Sequence, residues 1–249
     1  MKSLAARRLI FAHYFLWFGI PSRSGNWGNW QWKGPGCRHD PARRKNGRAD
    51  IAAVQYPLLG PYDSSDPKIL RRHVLWAKEA GLDFFAVDWY GPPRHLGSTS
   101  QYFRVDRNFS RLLEVCRKNR FKAALCYEEK LLFQKSVAGG GRGRVAVGID
   151  HLTYAFKTYG DHPAYLRLDG RPVLVVWGDH SLDIREWIRI LTPIREKYNP
   201  VVVYSYFFKD DGRQKRWTKK LLNGDAPAPG GNGLYPWLLI GSKARMFSR

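Results

Sequence analysis

Cysteine is scarce in this chain. Its 249 residues include Cys37, Cys116 and Cys126, and no two of these stand in a C-x-x-C pair. An odd, widely spaced set argues against a disulfide framework and against a structural zinc site, so we expect no metal and no other cofactor. Long apolar runs are also missing. No stretch of about 18 apolar residues occurs, so the sequence predicts no membrane-spanning segment.

Acidic residues are few compared with basic ones. Asp and Glu total 21 against 42 Lys and Arg, which gives a formal net charge of +21. Such a charge attracts polyanions, so nucleic acid and acidic glycans both need consideration as partners. The densest basic run, residues 211–220, can equally surround one solvated helix. We therefore do not favour nucleic acid as the partner, although the charge keeps a polyanion binder open as a third hypothesis.

The first 20 residues imitate an export signal, because a basic stretch precedes an apolar one. His13 interrupts the apolar stretch, and no A-x-A cleavage pattern follows it. We therefore interpret residues 9–18 as a buried strand. The cellular compartment stays open.

Helices and strands alternate along the chain. In the clearest unit, Asp66 is expected to cap a helix, Pro67 to occupy its first position and Gly81 to end it, before the continuously apolar strand 83–89. The cycle recurs with helices at 106–119, 150–159, 181–198 and 214–222, and strands at 122–128, 172–178, 201–207 and 232–241. With 9–18 these make six strands. The alternation predicts a parallel sheet with helices outside it, as a barrel or an open sheet, in a single domain over residues 1–249.

Long irregular stretches follow the strands at 19–65, 90–105 and 129–148. Loops after strands carry the functional site in parallel α/β folds. The glycine-rich segment 138–144 lies in the third stretch. It lacks the following Lys-Ser/Thr of a phosphate-binding loop, so we expect a flexible loop there.

Carboxylates end neighbouring predicted strands. Asp88 ends the strand 83–89, and Glu128 ends the strand 122–128. Paired carboxyl groups and aromatic platforms are what glycoside cleavage requires, so these two residues are the candidate catalytic pair. Each carboxylate could instead make a structural hydrogen bond or an ion pair with one of the many arginines.

Aromatic residues are abundant, at 14% with 10 Trp. Their flat apolar faces suit sugar rings and bases, although Trp17 and Trp89 could equally be packing residues of a barrel. We expect the following side chains at the same rim to bind substrate: Tyr14, Trp17, Trp30, Trp89, Tyr90, Tyr127, Glu129 and Trp177.

Five segments in order resemble glycoside hydrolase family 99 and its bacterial relatives. They are "AHYFLWFG" (12–19), "YPLLGPYDSSDP" (56–67), "HVLWAKEAGLDFFAVDWYGP" (73–92), "ALCYEE" (124–129) and "HPAYLRLDGRPVLVVWG" (162–178). The resemblance implies a (β/α)8 barrel of the TIM type. It further implies retaining hydrolysis of α-mannose-containing glycans by two Glu without a metal.

The chain also departs from that family. The family places its two catalytic Glu in an Asn-Glu-Trp-x-Glu motif, whereas the single Glu-Trp here, Glu186-Trp187, lies inside a predicted helix. "NGLYPW" (232–237) resembles the family's sixth-strand segment. His13 and Leu16 stand where the family often has an aromatic residue and Pro.

The resemblance therefore implies an incomplete barrel of about six of the eight strands, truncated before the catalytic motif, with impaired hydrolysis. A non-catalytic carbohydrate-binding relative is the alternative. The open edges of such a barrel are expected to promote self-association.

Overall fold

The computed structural model describes residues 9–31, 38–96, 102–128, 143–177, 182, 184–206 and 233–236. Its helices are α1 (Pro21–Ser24), α2 (Pro67–Glu79), α3 (Phe103–Lys118), α4 (Gly143–Tyr159) and α5 (Ile184–Tyr198). Its strands are β1 (Phe11–Tyr14), β2 (Arg44–Lys45), β3 (Arg48–Ala49), β4 (Phe84–Trp89), β5 (Lys122–Glu128), β6 (Arg167–Leu168), β7 (Arg171–Trp177), β8 (Val201–Tyr206) and β9 (Gly233–Pro236).

Six of these strands form one parallel sheet in the order β1-β4-β5-β7-β8-β9. The short strand β6 pairs antiparallel with β7, and β2 with β3 forms a separate small hairpin. The predicted parallel β/α arrangement is therefore confirmed. Over the described residues the sheet is open, with β1 and β9 at its two ends.

Helix α2 shows how local sequence sets an element. The side chain of Asp66 accepts a hydrogen bond of 2.8 Å from the Lys68 N–H, and Pro67 occupies the first turn. Leu70, in the first turn, is fully buried. Gly81 follows with φ of 75°, a conformation in which a side chain would be strained. The helix therefore begins and ends where capping chemistry predicts, and its apolar stripe packs on the sheet.

Other predicted boundaries were wrong by several residues. Strand β1 ends at Tyr14, because residues 15–18 leave the sheet and Phe18 bridges Gly28 instead. Helix α4 begins at Gly143 rather than at 150. Residues 143 and 144, which were expected to belong to a flexible loop, are therefore helical. The predicted helix at 214–222 lies outside the described residues. In the part of the chain that the structure describes, no helix combines the length and apolarity that crossing a membrane requires.

The core lies on both faces of the sheet. Every residue of β4 is buried, which is what a strand covered on both sides requires. Successive side chains of a strand point to opposite faces, so Asp88 and Trp89 belong to different layers of the fold. This alternation decides which predicted site residues come together.

Candidate functional site

Three aromatic residues predicted to bind substrate lie between the sheet and the helices. Trp89 donates a 2.9 Å hydrogen bond from its indole nitrogen to a carboxylate of α3. Tyr127 is hydrogen-bonded to a histidine of α4, and Tyr14 to a histidine of α2. Trp89 and Tyr127 are fully buried. These contacts describe packing residues, and the structure does not bring the three side chains to the face that carries Asp88.

The opposite face gathers the two candidate catalytic carboxylates. Asp88 is hydrogen-bonded to Glu128, and Tyr90 donates a 2.7 Å hydrogen bond to Glu128 Oε1. His13 Nδ1 lies 3.1 Å from Asp88 Oδ1, and Cys126, opposite Asp88 in the β4–β5 register, is also hydrogen-bonded to it. Asp88 is 3% exposed and Glu128 5%. The structure thus builds one buried polar cluster from three neighbouring strands.

Burial dominates the electrostatics of this cluster. It raises the pKa of Asp88 to about 7, although hydrogen bonds with Glu128 and Cys126 act in the opposite direction. It lowers the pKa of His13 to about 4. Burial, and then the charge of Glu128, raise the pKa of the Tyr90 phenol. At neutral pH His13 is therefore uncharged and Tyr90 is a hydrogen-bond donor.

The contact between the two carboxyl groups limits what they can do. A hydrogen bond between them requires a proton, and like charges this close do not both ionise. Retaining glycosidases hold their two carboxyl groups about 5–5.5 Å apart, with the scissile bond between them. A directly hydrogen-bonded pair leaves no such gap. The geometry therefore fits the binding of a sugar hydroxyl better than the predicted catalytic roles.

Buried Tyr90 connects this pair to two partly exposed aromatic rings, Trp17 and Tyr102. The ring of Tyr90 lies 4.0 Å from that of Tyr102 and 5.9 Å from that of Trp17, and the Trp17 and Tyr102 rings are 6.1 Å apart. Trp177, half-buried, is opposite Glu128 in the β5–β7 register. Trp17, Tyr90 and Trp177 are thus brought near the carboxylates. Tyr102 was not among the predicted residues, because it lies within the irregular stretch 90–105, which carries no periodic signal.

Another residue predicted to bind substrate, Trp30, does not join this group in the structure. Trp30 is 2% exposed, stacks on Phe18 with 4.0 Å between ring centroids, and donates to the Tyr62 carbonyl over 2.7 Å. It anchors the long segment after β1. Glu129 lies outside the described residues.

The stretch Gly91-Pro92-Pro93 after β4 has a steric explanation. Gly91 has φ of 120°, and a Cβ at this position would lie 2.5 Å from Cε1 of His151. His151 is fully buried. Its Nε2 lies 2.7 Å from His95 Nδ1, and its Nδ1 lies 3.0 Å from the Tyr127 hydroxyl. The sharp turn after Tyr90 therefore leaves room for a hydrogen-bonded histidine pair.

Comparisons with known proteins agree with this architecture. The sequence profile of glycosyl hydrolase family 99 matches residues 6–199. The human glycoprotein endo-alpha-1,2-mannosidase-like protein is 26% identical over 204 residues, 78% of this chain and 42% of that protein. The glycoprotein endo-alpha-1,2-mannosidase of Rattus norvegicus is 23% identical over 201 residues, 74% of this chain and 39% of that protein.

A solved structure of the GH99 endo-alpha-mannosidase from Bacteroides thetaiotaomicron matches with a TM-score of 0.64 at 24% identity, over 92% of this chain and 61% of that one. A second structure, in complex with BIS-TRIS-propane, gives a TM-score of 0.65 at 23% identity, over 92% of this chain and 58% of that one. The likeness confirms the predicted TIM-barrel type of fold. The chain spans less than half the length of the curated relatives named above.

Proposed function

This chain belongs to glycosyl hydrolase family 99, and on that premise we propose that it binds α-mannose-containing glycans at the carboxyl ends of β1, β4, β5 and β7. One observation carries the proposal. The partly exposed rings of Trp17 and Tyr102 pack on Tyr90, a buried residue that is hydrogen-bonded to Glu128 of the buried Asp88–Glu128 pair. Flat apolar rings next to hydrogen-bonding carboxyl groups are the combination that a sugar ring requires.

The two parts of this site make different contacts with a sugar. The apolar face of a pyranose ring stacks on Trp17 or Tyr102, and its hydroxyl groups exchange hydrogen bonds with Glu128. Tyr90 holds Glu128 in place through the 2.7 Å hydrogen bond. Buried acceptors of this kind also give specificity, because a sugar without the matching hydroxyl leaves them unpaired.

Hydrolysis by residues 1–249 is proposed to be weak. The sequence contains no Asn-Glu-Trp-x-Glu motif. Asp88 and Glu128 are in direct contact, whereas a retaining pair needs about 5–5.5 Å between its carboxyl groups. We therefore propose that the chain binds the glycan without efficient turnover. The names of the curated relatives, which specify an α-1,2-mannosidase, suggest the α-1,2 linkage for the ligand.

Binding is tested by titrating the protein with α-1,2-mannobiose and following tryptophan fluorescence or heat. We expect saturable binding that Trp17→Ala weakens by at least tenfold. Trp76→Ala is the matched control, because Trp76 is also partly exposed but lies on α2, where the Arg72 guanidinium lies over its ring. Equal binding by wild type and Trp17→Ala would contradict the proposal.

Salt separates this function from polyanion binding. Stacking of a neutral sugar is insensitive to ionic strength, whereas neutralisation of phosphates by Lys and Arg weakens steeply as salt rises. Binding of an oligonucleotide or heparin that disappears at high salt, together with no binding of the mannoside, would favour the polyanion hypothesis. Turnover of an aryl α-1,2-mannoside at about 1–10³ per second would contradict the proposed impairment.

A further inference from the structure

We propose that His13, Asp88 and Cys126 form a binding site for a transition-metal ion, and that the ion they select is Zn²⁺. This site goes beyond the proposed glycan binding and requires no glycan. It joins β1, β4 and β5, next to Glu128 and the tyrosine that holds it, Tyr90. This proposal departs from the prediction of no metal, which was drawn from the spacing of the cysteines.

The positions of the three side chains suit a common metal ion. One ring nitrogen of His13, an Asp88 carboxylate oxygen and Cys126 Sγ all lie within 4.8 Å of one another. Zinc bonds of about 2.0–2.3 Å place tetrahedral ligand atoms roughly 3.3–3.8 Å apart. The His13–Asp88 separation is 3.1 Å, slightly below this range, so that pair has to open by only a few tenths of an ångström. Small rotations of side chains on rigid strands bring the third ligand into place.

The ligand chemistry favours zinc over the common hard cations. Thiolate and imidazole are ligands for Zn²⁺ and its neighbours, whereas Mg²⁺ and Ca²⁺ require oxygen ligands. An aspartate, a thiolate and a neutral imidazole bring two negative charges, which balance a divalent cation. The surroundings are apolar, because the Phe11 ring lies 5.8 Å from the His13 ring and stacks on Phe84. Apolar surroundings disfavour a net charge, so a site of zero net charge is suited to this location.

Three protein ligands leave a fourth position for water. Three-ligand sites with an open position are typical of zinc that activates water or binds a small ligand. Glu128, hydrogen-bonded to Asp88, is placed to orient that carboxylate, and Tyr90 holds Glu128 in turn. The side chain of His13 is 14% exposed and that of Asp88 4%, so an ion can enter from the His13 side.

Cobalt reports both occupancy and the thiolate ligand. The metal-free full chain is titrated with Co²⁺, and the absorption is followed in the visible range and in the near ultraviolet, where thiolate-to-cobalt charge transfer appears. We expect one Co²⁺ per chain with a charge-transfer band, and its displacement by an equimolar amount of Zn²⁺. No cobalt spectrum in wild type would overturn the proposal.

Matched variants locate the site. Cys126→Ser should abolish the charge-transfer band, and His13→Gln should weaken binding by at least 100-fold. Cys116→Ser is the control, since Cys116 is equally buried but belongs to α3, outside the cluster. Glu128→Gln should weaken binding by about 10–100-fold, as expected for a residue that orients a ligand.

The outcomes are distinguishable from those of the glycan proposal. A charge-transfer band that survives in Cys126→Ser, or that Cys116→Ser removes, would overturn the site. If Cys126→Ser does not fold, as judged by circular dichroism, His13→Gln decides: unchanged cobalt affinity would overturn the proposal. Trp17→Ala is expected to bind cobalt normally, because it changes the sugar platform and none of the ligands.

Discussion

His151 should make this protein lose stability in mild acid. Burial lowers its pKa to about 3 from an ordinary 6.5, and the nearby charges of His95 and Arg94 act in the same direction while Asp150 opposes them. The folded protein therefore resists protonation of His151, whereas the unfolded chain accepts the proton freely. Because the unfolded state binds more protons between pH 6.5 and 3, the free energy of unfolding must fall as the pH falls through that window.

The magnitude follows from the two pKa values. Each pH unit inside the window is worth about 1.36 kcal/mol. The stabilisation that comes from keeping His151 uncharged is fully present above pH 6.5, which is the ordinary pKa of histidine in an unfolded chain. Lowering the pH from 7 to 5 therefore costs about 2 kcal/mol through His151 alone. Such a loss is a large part of the stability of an ordinary domain, about 5–15 kcal/mol.

The test compares urea unfolding at pH 7 and pH 5 for wild type and for His151→Gln. Gln is polar and of similar length, and it cannot titrate. The variant should be less stable than wild type at pH 7, because it cannot keep both hydrogen bonds, to Tyr127 and to His95. Its loss of stability between pH 7 and pH 5 should be smaller than that of wild type by about 2 kcal/mol. Equal losses in the two proteins would refute the assignment.

Three further predictions concern the fold. Gly91→Ala should lower the urea midpoint more than Gly81→Ala: both positions have positive φ, but at Gly91 the new Cβ also meets the His151 ring at 2.5 Å, whereas at Gly81 it meets nothing within 4 Å. We expect the free energy of unfolding to fall by about 1–2 kcal/mol at Gly81 and by more at Gly91. A larger loss at Gly81 than at Gly91 would contradict the steric argument. Asp66→Ala should cost about 1 kcal/mol and Asp66→Asn much less, because Asn can also cap a helix; an equal loss in both would assign the effect to the ion pair with Arg23 instead. The open sheet should make the apparent mass on a sizing column rise with protein concentration, and a single monomer peak at every concentration would remove that expectation.

The sequence by itself determined the elements whose signals are local. The Asp66 cap, the Pro67 start and the Gly81 stop define α2 within a few residues, because capping and glycine conformation act over one helical turn. The alternation of helices and continuous apolar strands determined a parallel sheet, and hence that Asp88 and Glu128 would meet at one edge. A resemblance carried by five ordered segments identified the family that the profile match then confirmed.

Only the tertiary structure decided which face each side chain occupies. A strand buried on both sides shows no alternation of polar and apolar residues. Nothing in 84–89 therefore indicates that Trp89 lies on the face towards α3 and Asp88 on the opposite face, with His13. The cluster of His13, Asp88 and Cys126 is equally invisible in the sequence. His13 and Asp88 lie 75 residues apart, and parallel pairing of β1, β4 and β5 brings them together. Pairing between distant strands is set by the packing of the whole sheet, and no local pattern encodes it.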